Sequence, residues 1–236
     1  MSTLNPGSSA ARASTYAVVI AGGLLSSKAV AQSYFASDSV FAPSSWSLTV
    51  VGSSASRDGS ASQVIDGYAL GSNARLTTLS PGGSGIDAWN VNIYESFSYT
   101  PSSLESEPSV TISFDSRWVA LNGSRIGPAM RQGSTIWAGS HPVNTTSWTT
   151  YVFTGWSSLL QGTSLPMPDL SPGAAPIYFG FYQRNGGNGT GFQSEFANFS
   201  VAVIATPVPV PSVLISMIAL TSVAGPRSKG YARRRA

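Results

Sequence analysis

Short runs of alternating apolar and polar side chains, each closed by a cluster of Gly, Pro, Ser or Asn, fill the middle of this chain. Successive side chains of a β-strand point to opposite faces, so such a run can bury one phase and leave the other wet. In "SVTISFDSRWVAL", Val110, Ile112, Phe114, Trp118 and Ala120 share one phase, while Thr111, Ser113, Asp115 and Arg117 share the other. In "WNVNIYESFSYT", Trp89, Val91, Ile93, Phe97 and Tyr99 fall together, and Glu95 intrudes on that apolar phase. No stretch sustains the 3.6-residue period of a helix. Adding "WSLTVV", "QVIDGYALG", "ARLTTL", "WTTYVFTG", "IYFGFYQR" and "FQSEFANFSVAVI" predicts about nine or ten short strands. The chain is expected to be all-β, a single antiparallel β-sandwich of jelly-roll type, over residues 32–205. Two turn signals organise it further. Asn122-Gly123 is expected to fold "SVTISFDSRWVAL" back on "SRIGPAMRQGSTIW" as a hairpin, and "NGGNGTG" to join the last two strands as another.

Charge excludes one class of partner. The net charge of +3 comes from the ends: between residues 32 and 205 only Arg57, Arg75, Arg117, Arg125, Arg131 and Arg184 are positive, against all 10 carboxylates of the chain. A nucleic-acid binder needs its basic footprint on the folded domain, so no nucleic-acid partner is expected. Cysteine is absent, which removes disulfides, thiolate metal sites and thiol nucleophiles.

Residues 1–31 are expected to be a secretory signal peptide. Arg12 precedes the apolar run Tyr16 to Leu25, and Ala29-Val30-Ala31 supplies the small-residue exit, placing cleavage after Ala31. Residues 206–236 begin "TPVPVP", turn apolar from Val213 to Ala224 and end in Arg233, Arg234 and Arg235. The apolar run is shorter than the roughly 20 residues a spanning helix needs, and the arginines are expected to stay on the cytoplasmic side. This tripartite tail resembles a PEP-CTERM sorting signal, with Pro209-Val210-Pro211 in place of the family's Glu-centred motif. The resemblance implies an exported protein held in the inner membrane by a short C-terminal helix, an exosortase-like membrane protease as partner, and a surface or matrix role tied to exopolysaccharide and biofilm. An ordinary C-terminal anchor is the alternative. The segment "IYFGFYQRNGGNGTGFQSEFANFSVAVI" is similar to the closing strands of exported PEP-CTERM proteins and of lectin-like or carbohydrate-binding jelly rolls.

Catalytic chemistry has little to stand on. His141 is the only histidine, in the loop "GSHPVNTT", and no G-x-S-x-G elbow accompanies it. Glu95 and Asp115 lie on strands expected to be neighbours and could serve a glycosidase; the alternatives for Glu95 are a β-bulge, a rim position or a pairing with Arg117 or Arg131. No catalytic residue is assigned and no cofactor is expected. Asp58, Asp66 and Asp87 are hard oxygen donors on Gly-rich turns and are candidate ligands for a structural calcium, with ordinary Asp-Gly turn chemistry as the alternative. Of the 6 tryptophans, Trp89 and Trp118 share phases with apolar neighbours and are expected in the core. Trp137, Trp148 and Trp156, with Arg131 and Gln132 as polar partners, are the candidate platform for a polysaccharide, because sugars lay their C–H faces on aromatic rings. Asn122, Asn144, Asn188 and Asn198 each begin an N-x-S/T sequon, a pattern that is frequent by chance in so Ser/Thr-rich a chain.

Overall fold

The structure, a computed structural model, describes residues 31–208 except 53–56, 66–72, 81–86, 104, 121–124, 140–143 and 185–190. The expected signal peptide, the Pro209-Val210-Pro211 motif, the apolar run, Arg233 to Arg235, Asp66 and His141 lie outside the described residues.

Among the described residues eleven strands form two antiparallel sheets: β1 Gln32–Asp38, β2 Trp46–Gly52, β3 Asp58–Val64, β4 Ala74–Ser80, β5 Ala88–Tyr99, β6 Ser109–Ala120, β7 Arg125–Gln132, β8 Thr135–Ala138, β9 Thr149–Thr154, β10 Ile177–Arg184 and β11 Phe192–Ala205. One sheet has the order β3-β4-β11-β6-β9, with β1 paired to β11 beyond the β4 ladder. The other has the order β2-β5-β10-β7-β8. A single helical turn, α1 Trp156–Leu159, follows β9.

The inner faces meet in an aromatic core. Phe181 of β10 stacks on Phe196 of β11 at 4.0 Å between ring centroids, and Phe114 of β6 approaches Phe181 at 5.6 Å. Trp46 packs within 5.0 Å of both Phe181 and Phe199. Each buried Phe removes enough apolar surface to contribute about 2 kcal/mol, and the offset ring geometries add to it. Asp38 closes the β1–β2 corner by accepting hydrogen bonds from the amides of Val40 and Phe41 and from the Trp46 indole N–H at 2.7–2.8 Å.

Both expected hairpins are overturned. β6 pairs with β11 and β9, whereas β7 pairs with β10 and β8 in the opposite sheet; β10 and β11 likewise belong to different sheets. Each of these strand pairs is therefore split between the two sheets instead of being joined within one. A turn signal marks a reversal, and alternation is satisfied equally by an in-plane hairpin and a cross-sheet arch, because either way each strand aims its apolar phase at the shared core. The hairpin in this region lies inside "SRIGPAMRQGSTIW", where Gln132 pairs with Thr135 around Gly133-Ser134. Gly133 has φ +57°, as the first central residue of a type II′ turn requires.

Two bulges set which side chains face inward. In β11, Asn198 and Phe199 together oppose Phe114 alone, because Ala197 pairs with Asp115 and Ser200 with Ser113. Asn198 takes φ +49°, a left-handed conformation Asn tolerates, and Phe199 thereby joins the core. In β5, Phe179 pairs with Tyr94 and Tyr178 with Ser98, so residues 95–97 are extra. This bulge splits the apolar phase of "WNVNIYESFSYT". Phe97 and Tyr99 pack in the main core, while Trp89, Val91 and Ile93 turn to the outer face of the five-stranded sheet. The expectation that Trp89 is a core residue is corrected accordingly. Its place inside is taken by Asn90 and Asn92, both fully buried. They are tolerated because Asn90 donates to the Thr78 carbonyl at 2.9 Å and Asn92 accepts from Arg75 at 2.8 Å.

Candidate functional site

Register assigns the outer face of the five-stranded sheet residue by residue. β5 presents Trp89, Val91 and Ile93 there; β10 presents Tyr178, Gly180, Tyr182 and Arg184; β7 presents Arg125, Gly127, Ala129 and Arg131. β2 contributes Val51 opposite Trp89, and β8 contributes Ile136 and Ala138. Small residues run across the middle, from Gly180 to Ala129 to Ala138. Gly180 is required by backbone proximity: a Cβ there would lie 1.9 Å from the Asn92 carbonyl oxygen.

A cleft of about 420 Å³ opens over this face, lined by Val51, Trp89, Val91, Ile136, Ala138 and Arg184 and walled by residues 162–165. The wall is fixed from the other side of β8, where the buried Trp137 indole donates to the Pro166 carbonyl at 2.7 Å. Trp89 is half-buried. It stacks on Tyr182 at 5.6 Å with a 24° interplanar angle, and the Arg184 guanidinium lies 4.9 Å from its ring centroid. Arg184 is locked by a two-pronged bond to Asp87 at 2.8 and 2.6 Å, which raises its already high pKa. Burial also raises the pKa of the Tyr182 phenol, whose O–H donates to the Gly139 carbonyl. At the other end of the face Arg131 lies 4.7 Å from the Tyr178 ring centroid and grips Glu95 through two bonds of 2.7 Å. The result is an aromatic and aliphatic surface with its polar groups fixed at both ends, suited to the apolar faces and hydroxyl edges of a sugar chain.

The expected platform is not assembled. Trp137 and Trp156 are buried in the main core, Trp156 donating to the Pro108 carbonyl at 2.8 Å. Trp148 is half-buried on the six-stranded sheet's side, with Arg117 4.9 Å from its ring centroid. Gln132 is buried and ties the segment after α1 to β7 by bonding the Asp169 and Ala175 carbonyls and the Asp169 amide, each at 2.8 Å. Arg131 alone of that group reaches the outer face. Trp118 is half-buried near the end of β6.

The calcium candidates are separated in role. Asp58 is exposed and caps the Gly59 amide at 2.7 Å, while Asp87 holds Arg184. Among the described residues no group of three His, Cys, Asp or Glu side chains could hold a metal. Glu95 and Asp115 stand on different sheets, and Asp115 is engaged by Thr150 at 2.5 Å and Asn198 at 2.7 Å. The sequon residue Asn144 is buried, bonded to Ser116 and Ser194. Sequence reasoning missed Trp89, Tyr182 and Arg184. The available signal was Glu95 itself: a charge on an apolar phase marks a bulge, and beyond a bulge the phase changes face.

No family model matches the chain, and no curated protein matches it. Among solved structures it is similar to the family 11 carbohydrate-binding module from Clostridium thermocellum in complex with a β-1,3-1,4-mixed-linked tetrasaccharide, at 18% identity and TM-score 0.44, over 72% of this chain and 94% of that one. It is also similar to the CBM22-1 xylan-binding domain of Paenibacillus barcinonensis Xyn10C, at 11% identity and TM-score 0.38, over 69% and 87% of the two chains. A CBM4 structure aligns at 15% identity and TM-score 0.37, over 72% of this chain and 92% of that one.

Proposed function

We propose that this protein is a non-catalytic glycan-binding β-sandwich of jelly-roll type, akin to a carbohydrate-binding module, which lays a saccharide chain across the outer face of its five-stranded sheet. The observation that carries this reading is the open cleft lined by Trp89 and Arg184, with an aliphatic surface of Val51, Val91, Ile136 and Ala138. Sugar C–H faces gain by leaving water against such a surface, and a guanidinium fixed by Asp87 offers its remaining donors to ring hydroxyls. None of the lining residues is a carboxylate, and among the described residues the face's two acids, Asp87 and Glu95, are each held by an arginine, which favours binding over hydrolysis.

Electrophoresis of the native protein through gels containing mixed-linkage β-glucan, xylan or polygalacturonate tests the reading. Retardation by at least one polymer is expected, weakened at least tenfold by Trp89→Ala with an unchanged circular dichroism spectrum. Equal migration of parent and variant in every gel would refute it. We further propose, from the resemblance of the tail, that the protein is exported and sorted at the membrane as a surface component. Replacing Arg233, Arg234 and Arg235 with Ser is expected to release it to the medium, and unaltered fractionation would count against a sorting tail.

A further inference from the structure

Three of the six arginines in the region 32–205, Arg125, Arg131 and Arg184, stand on the outer face of the five-stranded sheet, although ten carboxylates of the same region outnumber those six cations. Among the described residues only two carboxylates, Asp87 and Glu95, accompany them on that face. Glu95 neutralises Arg131 and Asp87 neutralises Arg184. Arg125 is left over: it is exposed, and among the described residues no carboxylate pairs with it. Its position is decisive, because Arg125 lies directly opposite Arg184 in the β7–β10 ladder. Side chains so placed have Cβ atoms about 5 Å apart, and like charges there are unfavourable unless an anion lies between them. The fields of Arg125 and Arg184 both reach the neighbouring Tyr182 phenol, where that of Asp87 opposes them. Low-dielectric walls concentrate such a field at the cleft mouth.

From this arrangement we infer that the cleft takes an acidic polysaccharide, with a carboxylate-bearing sugar residue seated between Arg125 and Arg184 at the Trp89 end. The inference rests on the glycan-binding reading and narrows it to a ligand class. A planar guanidinium matches a carboxylate through two parallel hydrogen bonds, and Arg125 has its fork free for that geometry while Asp87 holds Arg184 in place. The Glu95–Arg131 end of the face is charge-balanced and is expected to accept neutral sugar.

The test compares polygalacturonate and alginate with carboxyl-reduced polygalacturonate, a neutral polymer of the same backbone, by titration calorimetry of the parent protein and of Arg125→Ala. Binding to one or both acidic polymers is expected, at least tenfold tighter than to the reduced polymer and weakened severalfold between 50 mM and 500 mM NaCl. Arg125→Ala should lose five- to tenfold in affinity for the acidic polymer and nothing for the reduced one. If the reduced polymer binds as well as its parent and Arg125→Ala changes neither, the acidic-ligand inference fails while the glycan-binding reading stands. If neither acidic polymer binds but a neutral glycan does, the inference is again overturned. If no polysaccharide binds at all, the glycan-binding reading falls and takes the inference with it.

Discussion

Glu95 and Arg131 meet across the intervening strand β10 in a two-pronged ion pair, both oxygen–nitrogen distances being 2.7 Å. The β5 bulge makes this possible, because residues 95–97 lie outside the regular ladder. Ser47 adds a bond of 2.5 Å to the same carboxylate, and the Tyr178 ring supports the guanidinium. A charge that breaks the alternation of its own strand is thus compensated by a strand two places away.

Glu95→Gln keeps the shape and removes the charge. The pair is about a quarter to a third exposed, so screening limits its worth, and a loss of about 1 kcal/mol is expected in urea unfolding at low salt. The difference between variant and parent should shrink at 1 M NaCl. A difference independent of salt would show that packing, not charge, holds the bulge.

Gly180→Ala should be among the most damaging single-atom additions. The new methyl would sit 1.9 Å from the Asn92 carbonyl oxygen, a main-chain atom that cannot swing aside. Strands β5 and β10 would have to separate, at a cost of about 3 kcal/mol. Thermal melting compared with Ala129→Gly on the neighbouring strand checks this; a variant as stable as the parent would contradict the observed approach.

Phe196→Ala removes the ring stacked on Phe181 at the centre of the core. A loss of about 3–5 kcal/mol is expected, without any change in the outer cleft. Denaturant midpoints should move at a constant slope if the folded state keeps its form.

Alkaline pH should destabilise the fold through Tyr182. Burial raises its folded-state pKa above the value of about 10 that applies in the unfolded chain. The folded protein therefore retains a proton that the unfolded chain releases, and the stabilisation, complete below about pH 10, is lost as pH rises toward the folded pKa. In Tyr182→Phe the alkaline limb of the stability curve should flatten, after an initial loss of about 1 kcal/mol for the bond to Gly139. An alkaline limb identical to the parent's would assign the effect to other groups.

Alternation by itself determined that the chain is built from strands, since period 2 and period 3.6 place side chains on incompatible faces. It also determined which residues of the first half of β6 face the core: Val110, Ile112 and Phe114 are all buried, whereas Trp118 of the same phase is half-buried. Glu95 already marked a local break. The sequence could not show that β6 and β7, or β10 and β11, belong to opposite sheets, because a hairpin and an arch present the same phase to one core. Nor could it show that Trp89 faces outward. Three consecutive apolar residues of one phase satisfy a core equally well from either side of a sheet, and only the bulge at 95–97 decides between them. The same holds for the polar ends of the outer face. Asp87 and Arg184 stand 97 positions apart in the chain and Glu95 and Arg131 stand 36 apart, and only pairing through β10 brings each couple within hydrogen-bonding distance. Periodicity is a local property that steric geometry writes into every strand, whereas the partners of a charge are chosen by strand order, which emerges only when the two sheets close on their shared core.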